Sequence, residues 1–295
     1  MKRVIRVGSR DSVLAVIQAQ IVMNAVKETN PDIEFELVKI KTTGDKSLSA
    51  NLDTIGGKGL FIKELEQALM NGSIDIAVHS YKDMPYEETE GIPVVALSKR
   101  EAPFDALVLP LGATKMDNSK PVGSSSRRRT IQFKNLYDGF VLKGVRGNVP
   151  TRLSKLDNGE YSALILAQAG LKRLSLQNRI SRVFTIDEMI PSASQGILAV
   201  QGRQGDDYSY LENFHSRESE IVSRAERQFL KTLGGGCSSP VAVYGQLTNN
   251  ELLLTGMYVD LHDHAETGKI TGDAGKPELL GETLAGQLRA KAEKR

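Results

Sequence analysis

Along the first third of the chain, apolar residues repeat with two periods, one near four residues and one near two. Residues 3–7 read as a short strand, and residues 12–26 place Val13, Val16, Ile17, Ala19, Ile21 and Val22 where a partly buried helix needs them. Residues 35–40 alternate as a strand. Gly56-Gly57-Lys58-Gly59 then leads into Leu60, Ile62, Leu65 and Leu69, a helical spacing that stops at Asn71-Gly72. Residues 74–78 form a compact apolar run. Strand, helix and strand in succession predict an α/β fold of parallel sheets with helices on both faces.

A second series starts at residues 105–110 and continues through 121–124, 140–144 and 163–167, with another buried strand within 192–200. Beyond the polar stretch 203–219 the pattern changes. A helix over 221–233 runs into Gly234-Gly235-Gly236-Cys237, and the alternating runs 241–247 and 252–258, joined by Thr248-Asn249-Asn250, predict an antiparallel hairpin. Leu280, Leu284 and Leu288 mark a closing amphipathic helix. The reading is two α/β domains and a small C-terminal α+β domain, without a residue-level repeat.

Composition narrows the partners. A chain of 295 residues exceeds what one core ordinarily serves. Net charge is only +2, so no global field gathers nucleic acid, and anion recognition has to be local. Arginine is nevertheless clustered: Arg127, Arg128 and Arg129 are contiguous, and Arg146, Arg152 and Arg173 follow. No run approaches the roughly 20 apolar residues of a membrane span, and Arg6, Arg10 and Asp11 interrupt the basic start before any secretory apolar stretch. The single cysteine permits no intrachain disulfide. These features predict a cytoplasmic protein with neither membrane nor nucleic acid as partner.

Most motif templates fail. Gly56-Gly-Lys-Gly59 lacks the spacing and the hydroxyl residue of a P-loop, and four histidines with one cysteine make no metal set, His262 and His264 included. Three segments remain. Where the run at 74–78 ends, Ser80, Lys82 and Asp83 precede Pro85, at the kind of strand end where open α/β folds bind ligands; the alternative is a surface turn with an incidental ion pair. Arg127–Arg129 follow Gly123-Ser-Ser-Ser126, and guanidinium forks beside hydroxyls suit a polycarboxylate or phosphate; the alternatives are a solvated helix face or a nucleic-acid contact, the latter disfavoured by low net charge and no interleaved aromatics. Cys237 sits behind three glycines, better placed for covalent attachment than the core-filling cysteine it would otherwise be.

Taken in order, Gly8-Ser-Arg10-Asp-Ser12, Gly56-Gly-Lys-Gly-Leu-Phe-Ile-Lys-Glu64, His79-Ser-Tyr-Lys-Asp83, Gly123-Ser-Ser-Ser-Arg-Arg-Arg129, Arg146-Gly-Asn-Val-Pro-Thr-Arg152, Ala169-Gly-Leu-Lys-Arg173 and Gly235-Gly-Cys237 resemble the porphobilinogen deaminase family over nearly the whole chain. The resemblance implies two domains like those of periplasmic binding proteins plus a small third domain. It also implies a dipyrromethane joined to Cys237 by a thioether, a primer to which four porphobilinogen molecules are added with loss of ammonia before hydroxymethylbilane is released. By matching positions, Asp83 is the catalytic carboxylate, expected to be buried near the pyrrole N–H groups. Ser80, Lys82, Asp83, Ser126, Arg128, Arg129 and Arg152 are then cofactor contacts, and Arg10, Ser12, Arg146 and Arg173 lie nearer the substrate carboxylates. No metal is expected.

The corresponding division is 1–98 with 193–215, then 101–191, then 217–295, in a monomer. Departures from the family pattern include Phe104 where Arg is common, Thr54, Pro191-Ser-Ala-Ser-Gln195-Gly, and Gly234 where an acidic residue is common. The rival reading is a noncatalytic solute receptor of the same architecture, against which stand the missing export signal and a Gly-flanked cysteine that a receptor would not need.

Overall fold

The computed structural model describes residues 3–42, 62–235, 240–260 and 262–294. The Gly56-Gly-Lys-Gly59 motif and Cys237 lie outside them. In chain order the elements are β1 (Arg3–Arg10), α1 (Val13–Thr29), β2 (Ile33–Ile40), α2 (Lys63–Met70), β3 (Ile76–Ser80), β4 (Val94–Leu97), β5 (Asp105–Val108), β6 (Val122–Gly123), α3 (Arg127–Leu136), β7 (Leu142–Lys143), α4 (Val149–Asp157), β8 (Ala163–Ala167), α5 (Gln168–Arg173), β9 (Arg182–Val183), β10 (Leu198–Gly202), α6 (Arg217–Thr232), β11 (Ala242–Thr248), β12 (Glu251–Val259), β13 (Ala265–Asp273) and α7 (Pro277–Ala292).

The chain forms two compact units, one of Met1–Glu101 with Gly196–Glu220 and one of Ala102–Gln195 with Ile221–Arg295. The first holds the sheet β2-β1-β3-β10-β4, in which β1 is parallel to β2 and β3 while β10 is antiparallel to both its neighbours. On one face, Ala19, Val22 and Val26 of α1 pack against Ile5, Val7, Val78 and Val200; on the other, Leu65, Ala68 and Leu69 of α2 pack against Ile74 and Ala77. Helices on both faces were expected; wholly parallel sheets were not observed.

The second unit holds β7-β6-β8-β5-β9, with β6 parallel to β7 and β8 and with β5 antiparallel to β8 and β9. Leu153, Leu156 and Leu171 cover one face and Phe133 the other. The two sheets share one strand order. Each sets its second parallel strand outside its first, its third inside, and then one antiparallel strand, β10 in the first sheet and β5 in the second.

The second unit also contains the antiparallel meander β11-β12-β13. Its predicted hairpin turns at Asn249, which has φ 55, a left-handed value that asparagine tolerates. α7 lies against β12 and β13, and crosses α6 so closely at Gly281 that a Cβ there would strike the Ala225 carbonyl. Met257 and Val259 pack with Ile190 and Ile131. Phe104, the departure noted above, tilts against Tyr244 with ring centroids 5.8 Å apart.

Candidate active site

Parallel strands aligned in register end together, and helices that follow them start from one edge. In both units this edge carries the candidate residues. β1 ends at Arg10 and leads to Ser12, β3 ends at Ser80 and leads to Lys82 and Asp83, β6 leads to Ser126–Arg129, β7 to Arg146 and Arg152, and β8 to Arg173 at the end of α5. Ligand sites of open α/β sheets form at such carboxyl ends.

After β3 the backbone makes one 3-10 turn, Tyr81–Asp83, closed by Met84 N–H donating to the Tyr81 carbonyl at 3.1 Å. Tyr81 and Met84 are buried, and Tyr81 N–H bonds the Ile197 carbonyl at 3.0 Å, so the two flanking side chains anchor the turn inward. Asp83 is exposed and Lys82 half-buried. The expected burial of the Asp83 carboxylate is therefore corrected: a short turn pinned at both ends by apolar residues turns its last polar residue outward. Ser80 Oγ meets the amide of Gln18, which donates through Nε2 at 2.8 Å and accepts through Oε1 at 3.2 Å. Gln18 was missed by the motif reading. Its signal is a polar residue within the buried stripe Ala15, Ala19, Val22 and Val26 of α1.

Arg10 is half-buried, and Ser12 caps α1 by accepting the Ala15 N–H at 3.3 Å. Next to Ser80, His79 is buried with Nε2 lacking a hydrogen-bond partner. Burial chiefly, and the nearby Arg10 charge, push its pKa down to about 4 against a partial lift from Gln201, so the ring is neutral at physiological pH.

In the second unit, Ser125 Oγ donates to the Val145 carbonyl at 2.7 Å and accepts the Val145 N–H at 3.0 Å, tying the ends of β6 and β7 together. Ser126 is the N-cap residue of α3, yet its hydroxyl makes no cap bond. Asn148 caps α4 through the Thr151 N–H at 2.9 Å, and Arg152 Nε donates to the Gly147 carbonyl at 2.7 Å. Gly147 has φ 107, a backbone conformation that favours glycine, and this sharp turn joins Arg146 to α4.

The arginine triplet divides. Arg127 is exposed and ion-paired with Asp263. Arg128 and Arg129, expected as cofactor contacts, are only 4% and 8% exposed and converge on Asp105 of β5, which is wholly buried. Arg129 donates from Nε at 3.0 Å and Nη2 at 2.7 Å to Oδ1, and from Nη1 to the Ile165 carbonyl at 3.2 Å. Arg128 Nη1 lies 2.7 Å from Oδ2, at an angle that leaves Oδ2 without an aligned hydrogen bond, and donates to the Ile190 carbonyl at 2.7 Å. Burial favours the neutral acid at Asp105, but the two guanidiniums override it and hold the carboxyl far below its usual range. Burial itself lowers the Arg128 pKa, with Asp105 opposing.

In each unit of this α/β protein, polar and charged side chains, among them Arg10 and Asp83 in the first and Ser126 and Arg146 in the second, follow the strand ends. Residues 5–210 match the family model described as "Porphobilinogen deaminase, dipyromethane cofactor binding domain", and residues 221–290 match "Porphobilinogen deaminase, C-terminal domain". The chain is 55% identical over 96% of its length to a porphobilinogen deaminase of Acetivibrio thermocellus, covering 97% of that protein. It is 53% identical over 97% of its length to one of Ruminiclostridium cellulolyticum, covering 98% of it. Among solved structures it is similar to the methionine-binding protein MetQ at 14% identity and TM-score 0.45, over 74% of this chain and 92% of that one. The chain belongs to the porphobilinogen deaminase family, whose members are enzymes of tetrapyrrole synthesis acting on porphobilinogen with a dipyrromethane cofactor. No helix among the described residues is long and apolar enough to cross a membrane.

Proposed function

We propose that the chain is a cytoplasmic, monomeric transferase that joins four porphobilinogen molecules in sequence, with loss of ammonia, on a dipyrromethane attached to Cys237, and then releases hydroxymethylbilane to water. What carries this reading is the placing of every described candidate residue at the carboxyl ends of parallel strands or in the helices that follow them. We retain the three-part division 1–98 with 193–215, 101–191 and 217–295 as part of the proposal, with no nucleic acid, membrane or metal involved.

The donor set suits the cofactor. A dipyrromethane offers carboxylates and pyrrole N–H groups; guanidiniums, an ammonium and hydroxyls would suit the former, and the Asp83 carboxylate would suit the latter. Ser80, Lys82, Ser126, Arg128, Arg129 and Arg152 would hold it. When bound, it supplies the pyrrole α-carbon at which chain growth begins.

The remaining work falls to this chain's residues. Arg10, Arg146 and Arg173, with Ser12, orient the acetate and propionate of incoming porphobilinogen. As ammonia leaves the substrate's aminomethyl group, positive charge spreads into the ring, and the Asp83 carboxylate stabilises it. Removing that charge while keeping the shape tests the role. Asp83→Asn, loaded with preformed tetrapyrrole and checked for the adduct by mass, should release ammonia at least about 10² more slowly than wild type. Rates within a few-fold of wild type would remove Asp83 from the chemistry.

A further inference from the structure

Two arginines side by side in the first turn of a helix repel one another and oppose the positive end of the helix dipole. Burying both without a counter-charge is strongly unfavourable. In α3 the counter-charge comes from Asp105, on a strand more than twenty residues earlier in the chain. Its Oδ1 accepts two N–H groups of Arg129 and, at 3.0 Å, the side-chain amide of Gln195, while its Oδ2 faces Arg128. The Ile165 and Ile190 carbonyls supply the remaining restraints on the two forks.

We propose that Asp105 is a positioning residue of the site, clamping the Arg128 and Arg129 guanidiniums at the start of α3 and cutting their joint charge from two to one. This rests on the proposed use of Arg128 and Arg129 in holding the cofactor. The clamp has two functional consequences. The forks cannot swing freely, so the cofactor meets donors already oriented and little side-chain entropy is lost on binding. A single residual charge binds the cofactor's carboxylates without the repulsion that two uncompensated cations would exert on each other in the empty site.

Two substitutions separate charge from geometry. Asp105→Asn keeps the shape and removes the charge; Asp105→Glu keeps the charge and displaces it by one methylene. Intact mass gives the fraction of chains carrying the cofactor, steady-state kinetics give KM and kcat, and melting reports the fold. Asp75→Asn serves as control, because Asp75 also pairs with two arginines, Arg6 and Arg203, in the first unit but faces no proposed cofactor contact. Asp105→Asn should lower cofactor occupancy at least tenfold. Asp105→Glu should fold, with lower occupancy and a KM for porphobilinogen raised several-fold. Asp75→Asn should lower only the melting temperature. If Asp105→Asn does not fold, Asp105→Glu decides. A folded Asp105 variant with wild-type occupancy and KM overturns the proposal, as does failure of both variants to fold, which would make Asp105 a residue of the fold alone. If wild type itself carries no adduct, the underlying cofactor reading fails instead.

Discussion

Ser12 and Ser126 occupy the same position on their helices and are used differently. Ser12 Oγ caps α1, whereas Ser126 Oγ makes no bond to the backbone of α3. Ser12→Ala should therefore cost about 1 kcal/mol of stability, read as a lower melting temperature. Ser126→Ala should leave the melting temperature unchanged and weaken cofactor retention. A melting loss in Ser126→Ala equal to that in Ser12→Ala would show that the Ser126 hydroxyl serves the helix rather than a ligand. Arg146, half-buried beside the glycine turn, is expected to serve elongation rather than packing. Arg146→Leu should slow turnover at an unchanged melting temperature, and wild-type kinetics would make it a surface residue. Much of this scale was legible in the residue types, since hydroxyls and arginines announce anion chemistry. The inward turn of Arg128 and Arg129 was not, because the carboxylate that draws them in lies on β5, more than twenty residues earlier, and reads there as the start of an apolar run. Gln18 escaped because one polar residue in an apolar stripe looks like noise until its partner, Ser80, is seen.

At the scale of elements, His79 makes the first unit sensitive to acid. Between the ordinary imidazole value of 6.5 and the folded value of about 4, the unfolded chain binds a proton at this ring that the folded chain excludes. Stability should thus fall as pH drops through that window, by at most about 1.4 kcal/mol per pH unit for one group. Melting followed from pH 7 to pH 5 should decline in wild type and be flatter in His79→Gln; parallel curves would show that the ring does not titrate in this way. The α6–α7 crossing supplies a second check. Gly281→Ala sets a methyl group against the Ala225 carbonyl and the Phe229 N–H, and overpacking of this kind costs about 1–3 kcal/mol. A variant as stable as wild type would mean the helices part without cost. Long periodic segments such as α1, α6 and the β11–β12 hairpin were readable from spacing alone. β13 was missed because Ala-Glu-Thr-Gly-Lys-Ile-Thr-Gly-Asp carries one large apolar residue, although its backbone pairs with β12 along its whole length. β9, at two residues, is too short for a period to register, whereas the equally short β6 and β7 fall inside the read segments 121–124 and 140–144.

For the whole molecule, the two sheets repeat one strand order although the residues do not repeat. Each sheet completes itself with an antiparallel strand placed outside its own run of strands and helices: β5 precedes the parallel strands of the second sheet, and β10 returns to the first after the second is built. Linear pattern reading sees strands but not which sheet receives them, so it predicted parallel sheets where mixed ones occur. What survives the change is the alignment of parallel strand ends, and the candidate residues follow those ends in both units. The account's central claim is that the chain works with a dipyrromethane cofactor fixed to Cys237. The mass of the denatured intact chain tests it most directly, because a thioether survives denaturation. The predicted result for freshly prepared, active protein is an excess equal to two linked pyrrole rings with their side chains, located on the peptide containing Cys237 and absent from a Cys237→Ala variant. An unmodified mass in a sample that still consumes porphobilinogen would contradict the claim.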